Sequence, residues 1–178
     1  MADLSEEFRA AASRKFAVLR VPAAAAEEVG ASGEEFMLAL AVAYEIQCRF
    51  TAVAAEMAKG FNHAIHLTIS AVAGAGKLFG PSSGEIANAI AIATADNVSL
   101  ACMHAEPLSQ WKGFSPGMTR IRAIYTASLA KARFHRSKRF VPGPYGLELM
   151  FARGLLLTIP KRSQCSLVDA LQLSNLLN

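Results

Sequence analysis

Residues 62–80, NHAIHLTISAVAGAGKLFG, decide the fold, and they offer three readings at once. AGAGK ends like a phosphate loop, His63 and His66 stand three apart as metal ligands can, and the whole run could be one buried helix. A phosphate loop needs G-x-x-x-x-G-K-[S/T] between a strand and a helix. Here Gly76-Lys77 is followed by Leu78, and Ala71 stands where the first glycine is required. A zinc site needs at least a third ligand, and the nearest candidates, Cys102, His104 and Glu106, follow no ligand spacing. No metal is expected. What survives is a helix from Ala64 to Phe79, with Ile65, Ile69, Val72 and Leu78 at helical spacing and no proline to interrupt it. Gly74 and Gly76 then read as places where neighbouring helices come close, since each costs about 1 kcal/mol relative to alanine in an exposed helix.

The neighbours of this run are helical too. Residues 34–59 carry Phe36, Leu40, Ala43, Ile46, Gln47 and Phe50 on one broad face, and Gly60 closes the segment. After Gly80 and Pro81, Ser82 and Glu85 have the spacing of a capping box, and Ile86, Ala89, Ile90 and Ala93 form the buried side of the helix that follows. Residues 106–118, EPLSQWKGFSPGM, read as a loop from their prolines and glycines. The next helix, TRIRAIYTASLAKARF, is expected to turn Ile121, Ile124, Tyr125, Leu129 and Ala132 inward. Upstream, residues 5–20 place Phe8, Ala12, Phe16 and Leu19 on one stripe; Pro22 is expected to break that run, and AAAAEEVG to add a short helix. VPGPYG at 141–146 is a connector, and Ser166 is placed to cap a short Leu-rich segment. No strand is convincing, and the fold class is all-α, a compact helical bundle.

At 178 residues, 53% hydrophobic and 18% charged, the chain suits one domain with a substantial core. The acid-first N-terminus is unlike a secretory or mitochondrial leader, and Glu45 and Arg49 interrupt the longest apolar run, so a cytoplasmic protein with no membrane span is expected. Cys48, Cys102 and Cys165 form no disulfide framework and read as core thiols. The net charge of +4 is unevenly laid out: residues 107–147 hold eight Lys/Arg and no acid. Such a run suits an anionic ligand. It lacks the aromatic interleaving of single-strand binders and helix-turn-helix spacing, so nucleic acid is not expected. A histidine at a helix N-terminus is well placed for proton transfer beside an anion, because the exposed N–H groups there favour negative charge.

In order and spacing, these segments resemble the MmgE/PrpD family, which includes 2-methylcitrate dehydratases and cis-aconitate decarboxylases. SGEEFMLALAVAYEIQCRF is similar to one helix of that family. GFNHAIHLTISAVAGAGKLFG resembles the next, with its Trp/Phe-x-His start and G-K-L-x-G end, while GEIANAIAIATADN and LSQWKGFSPGM follow in the family's order. PGPYGLELMF is similar to a worn Glu-Gly-x-x-Gly-Leu turn, with Pro142 where the glutamate is expected. The resemblance covers residues 30–151 as part of the family's helical domain, after an N-terminal helical extension at 1–29 and before an unrecognised Leu-rich tail at 152–178. The family's α+β lid and its upstream paired aspartates have no counterpart here.

The resemblance implies a carbon–oxygen lyase, a hydro-lyase of the 2-methylcitrate dehydratase type working on a small di- or tricarboxylate without cofactor. On matching positions, His63 takes the proton-transfer role and Lys112 of Trp-Lys-Gly holds a carboxylate or acts as general acid. Trp111 would wall the pocket, and His104 is a further substrate-binding candidate. A homodimer is also implied. The alternative is a non-catalytic helical module that dimerises or pairs with a full-length relative.

Overall fold

The computed structural model describes residues 18–53 and 57–134. The expected helix over 5–17, the connector at 141–146, Cys165 and the tail at 152–178 lie outside the described residues. Among those residues the fold is all-α. Helix α1 covers 18–29, α2 Gly33–Val53, α3 Ala64–Phe79, α4 Ser83–Asp96 and α5 Trp111–Lys131, with short 3-10 turns at Met57–Lys59 and Ala101–His104. The one extended pairing among them is an isolated antiparallel bridge between Phe61 and Leu100. No helix among the described residues is long and apolar enough to cross a membrane.

Helix α3 is the axis. It packs against α2, α4 and α5, and thirteen of its sixteen residues are buried. A helix covered on every side must be apolar or small all round, and AIHLTISAVAGAGKLF is both. Its glycines mark the closest approaches. A Cβ on Gly74 would meet Pro22 Cγ at 2.9 Å and Ala43 Cβ at 3.0 Å; one on Gly76 would meet Ile86 Cγ1 at 3.1 Å. Two of its buried hydroxyls are hydrogen-bonded: Ser70 Oγ donates across to Gln47 Oε1 of α2 at 2.8 Å, and Thr68 Oγ1 donates to the Ala64 carbonyl at 2.9 Å. Gly80, left-handed at φ 76°, ends the helix, as glycine alone does without strain. The expected capping box follows: Glu85 N–H donates to Ser82 Oγ at 3.3 Å, and Ser82 N–H donates to Glu85 Oε2 at 2.8 Å.

Four expectations need correction. Pro22 does not break α1; residues 18–29 stay helical through it, and its ring fills the space that Gly74 leaves open. Second, Met57–Lys59 form a 3-10 turn before Gly60 and not the last turn of an α-helix, with α2 described as far as Val53. Third, Trp111–Met118 is helix, not loop. Gly113, Pro116 and Gly117 all lie within α5, where Pro116 removes only the hydrogen bond that would close on the Lys112 carbonyl. Ile121 and Tyr125 accordingly point outward, and the inner face of α5 is Ser115, Thr119, Ala123, Thr126, Ala127 and Ala130. The fully buried positions that face the Ala/Gly-rich α3 are small, Ile124 packs partly buried against the same core as expected, and Ala132 lies exposed past the helix end. Fourth, Cys48 and Cys102 are exposed, not core thiols.

Candidate functional site

Two of the four expected site residues, His63 and His104, come together where the chain enters α3. Gly60, Phe61 and Asn62 run antiparallel to Ser99, Leu100 and Ala101. Asn62 N–H donates to the Ser99 carbonyl and Ala101 N–H to the Gly60 carbonyl, both at 2.8 Å. This clamp fixes the start of α3 against the 3-10 turn Ala101–His104. Asn62 completes it. Its Oδ1 accepts from Ala64 N–H at 3.1 Å, supplying the helix cap, while its Nδ2 reaches Met103 Sδ across the clamp.

His63 therefore stands at the N-terminal mouth of α3, half-buried, without using its imidazole as the cap. Its ring lies 6.2 Å from that of His104, centroid to centroid and tilted by 39°. His104 Nε2 is shielded from solvent and has no hydrogen-bond partner among the described residues. His66, one turn on, is wholly buried with its ring 5.7 Å from that of Phe50, and belongs to the core. Among the described residues no group of three His, Cys, Asp or Glu side chains is placed to hold a metal.

Lys112 lies half-buried in the first turn of α5, its N–H donating to the Ser109 carbonyl at 3.1 Å, and α5 itself touches the turn that carries His104. Trp111 opens the same helix with about half of its surface exposed, 52%. The other cations of α5 and of the residues just after it are dispersed. Arg122 Nη1 donates to Asn97 Oδ1 at 3.0 Å, and Arg133 lies 3.6 Å from Glu85 at the surface. Arg120 is partly buried, and burial together with the nearby Arg20 lowers its pKa. The acid-free run is thus not one patch. At the far end of α3, a cleft of about 520 Å³ lies between Gly30, Glu35, Leu38 and Lys77, where one acid and one base offset each other.

Asn62 and Met103 were missed in the sequence. An asparagine just before a helix is a recognisable cap signal, whereas nothing local marks Met103 as its partner.

Fold and site together define an all-α domain with two imidazoles gathered at one helix mouth. The sequence pattern of the MmgE/PrpD N-terminal domain matches residues 11–157. The chain belongs to the MmgE/PrpD family, whose domain covers dehydratase-like enzymes. Residues 158–178 lie outside the match. No curated protein and no solved structure matches the chain.

Proposed function

We propose that this domain binds a small di- or tricarboxylate at the mouth of α3 and takes part in the elimination of water from it. The observation that supports the reading is the approach of His63 to His104 at the start of α3, with His104 Nε2 buried and without a hydrogen-bond partner among the described residues. Two imidazoles at this spacing can serve one small substrate. His63 accepts a proton from carbon, the C–O bond breaks as the hydroxyl is protonated and leaves as water, and a carbon–carbon double bond remains. His104 Nε2 donates to or accepts from a substrate oxygen. The ammonium of Lys112 holds a carboxylate, and Trp111 borders the site. The positive end of the α3 dipole favours the same negative charge, although the Ala64 and Ile65 N–H groups already donate to Asn62.

The test uses the full chain with 2-methylcitrate, citrate and cis-aconitate, following absorbance of the unsaturated acid. Activity on one of them is expected to fall by about 100-fold or more in His63→Ala, the usual weight of a proton-transfer group. Lys112→Ala is expected to raise KM more than it lowers kcat. A His63→Ala variant as active as the parent would overturn the assignment.

A further inference from the structure

Asn62 is 3% exposed, and each of its polar groups is engaged. Its N–H donates to the Ser99 carbonyl at 2.8 Å, and its own carbonyl accepts from Ile65 N–H at 3.2 Å. Its Oδ1 accepts from Ala64 N–H at 3.1 Å, and its Nδ2 donates to Met103 Sδ. One side chain thus ties the first turn of α3 to the turn Ala101–His104. Capping alone does not call for this residue, because serine, threonine or aspartate accept from a helix N–H as well. An amide accepts at one atom and donates from a second, which those side chains do not. The thioether is a weak acceptor, but a buried N–H is better satisfied by it than left with none.

We infer that Asn62 is a positioning residue, setting the distance between the imidazoles of His63 and His104 through its contact with Met103. His63 follows Asn62 in the chain and His104 follows Met103, so each ring is carried by the neighbour of one end of that contact. The rings stand 6.2 Å apart, centroid to centroid. The main-chain clamp reaches Ala101, where the turn begins, and so fixes the start of the turn rather than its end. The bond from Asn62 to Met103 fixes the end, beside His104. A misplacement of about 1 Å can cost a reaction about 100-fold, so this spacing matters to the chemistry. The inference rests on the reading of the two imidazoles as one site, and in this role Asn62 itself touches no substrate.

Two substitutions remove the contact from opposite sides. Asn62→Ser keeps a capping oxygen and loses the amide, while Met103→Leu keeps the apolar bulk and loses the sulfur. In the full chain without ligand, the parent is expected to show a proton–proton NOE between the two imidazoles. That NOE is expected to weaken several-fold in either variant, with no further loss when the two are combined, since both remove one contact. Both variants are expected to melt close to the parent, whereas Asn62→Ala, which loses the cap as well, melts lower. Serine that restores stability but not the NOE separates positioning from capping. A parent without the cross-peak, or a cross-peak that survives Met103→Leu at full strength, would overturn the inference, and Met103→Leu decides it even if Asn62→Ser fails to fold. A second arm follows turnover of 2-methylcitrate, citrate and cis-aconitate. Both variants are expected to lower kcat about tenfold with KM little changed, unlike Lys112→Ala. Loss of the NOE with kcat unchanged, or with no turnover in the parent, would leave the ring spacing assigned to Asn62 and count against the proposed function instead.

Discussion

Helices α3 and α5 pack against each other, yet they distribute their side chains in opposite ways. In α3 nearly every position is inside, so large and small residues interleave and polar ones find partners, as Ser70 does with Gln47. In α5 the fully buried residues are Ala, Ser and Thr, while Phe114, Ile121 and Tyr125 are outside and Ile124 is only partly buried. The difference shows that close packing on an Ala/Gly-rich helix is set by size before hydrophobicity. A methyl or hydroxymethyl lets two backbones approach, and a phenyl ring does not.

The largest effect expected from this contrast is on α3. Ile69→Ala should cost about 2–5 kcal/mol in denaturant unfolding, because the surrounding helices cannot collapse into the space. On α5 the rule runs the other way, and filling the inner face with Ala127→Leu should cost about 1–3 kcal/mol by overpacking. If Ala127→Leu were neutral, α5 would not lie as close to α3 as described.

Glycines sharpen the same contrast. Gly74→Ala on α3 must displace Pro22 and Ala43 and is expected to cost about 1–3 kcal/mol, whereas Gly117 on α5 has nothing within 4 Å of an added Cβ. Gly117→Ala is therefore expected to stabilise by about 0.5–1 kcal/mol. Equal signs for the two substitutions in thermal unfolding would contradict the packing.

A smaller, pH-dependent control comes from α2. Hydrogen bonds from the Ser32 backbone and then its side chain hold the Glu35 carboxyl below its ordinary value. A carboxylate with a lowered folded pKa adds stability above its unfolded pKa, and that addition is lost as pH falls through the folded value. Glu35→Gln should therefore melt slightly below the parent at neutral pH, with the gap closing in acid. A gap that persists in acid would mean the charge is not what the cap uses.

Much of this was legible in the sequence where local pattern and packing agree. Helices α3 and α4 announced themselves through periodicity, the Gly80 stop and the Ser82–Glu85 box, and the structure keeps all three. The start of α5 was hidden because Gly113, Pro116 and Gly117 signal a loop locally while Ser115 and Thr119 are held by tertiary packing. Its facing was misread because hydrophobicity alone turns Ile121 and Tyr125 inward, and only knowledge of the small residues opposite reverses that. His63 could be placed at a helix mouth from its position before Ala64. Its meeting with His104 could not, since the link is a backbone clamp between Phe61 and Leu100, and main-chain pairing of that kind leaves no residue pattern.

The central claim, that the mouth of α3 receives a small polycarboxylate, is tested most directly by imidazole NMR. With cis-aconitate titrated into the full chain, the ring resonances of His63 and His104 are predicted to move together and saturate, while those of buried His66 stay still. Rings of His63 and His104 that remain unmoved at millimolar ligand, or that move only as much as His66, would contradict it.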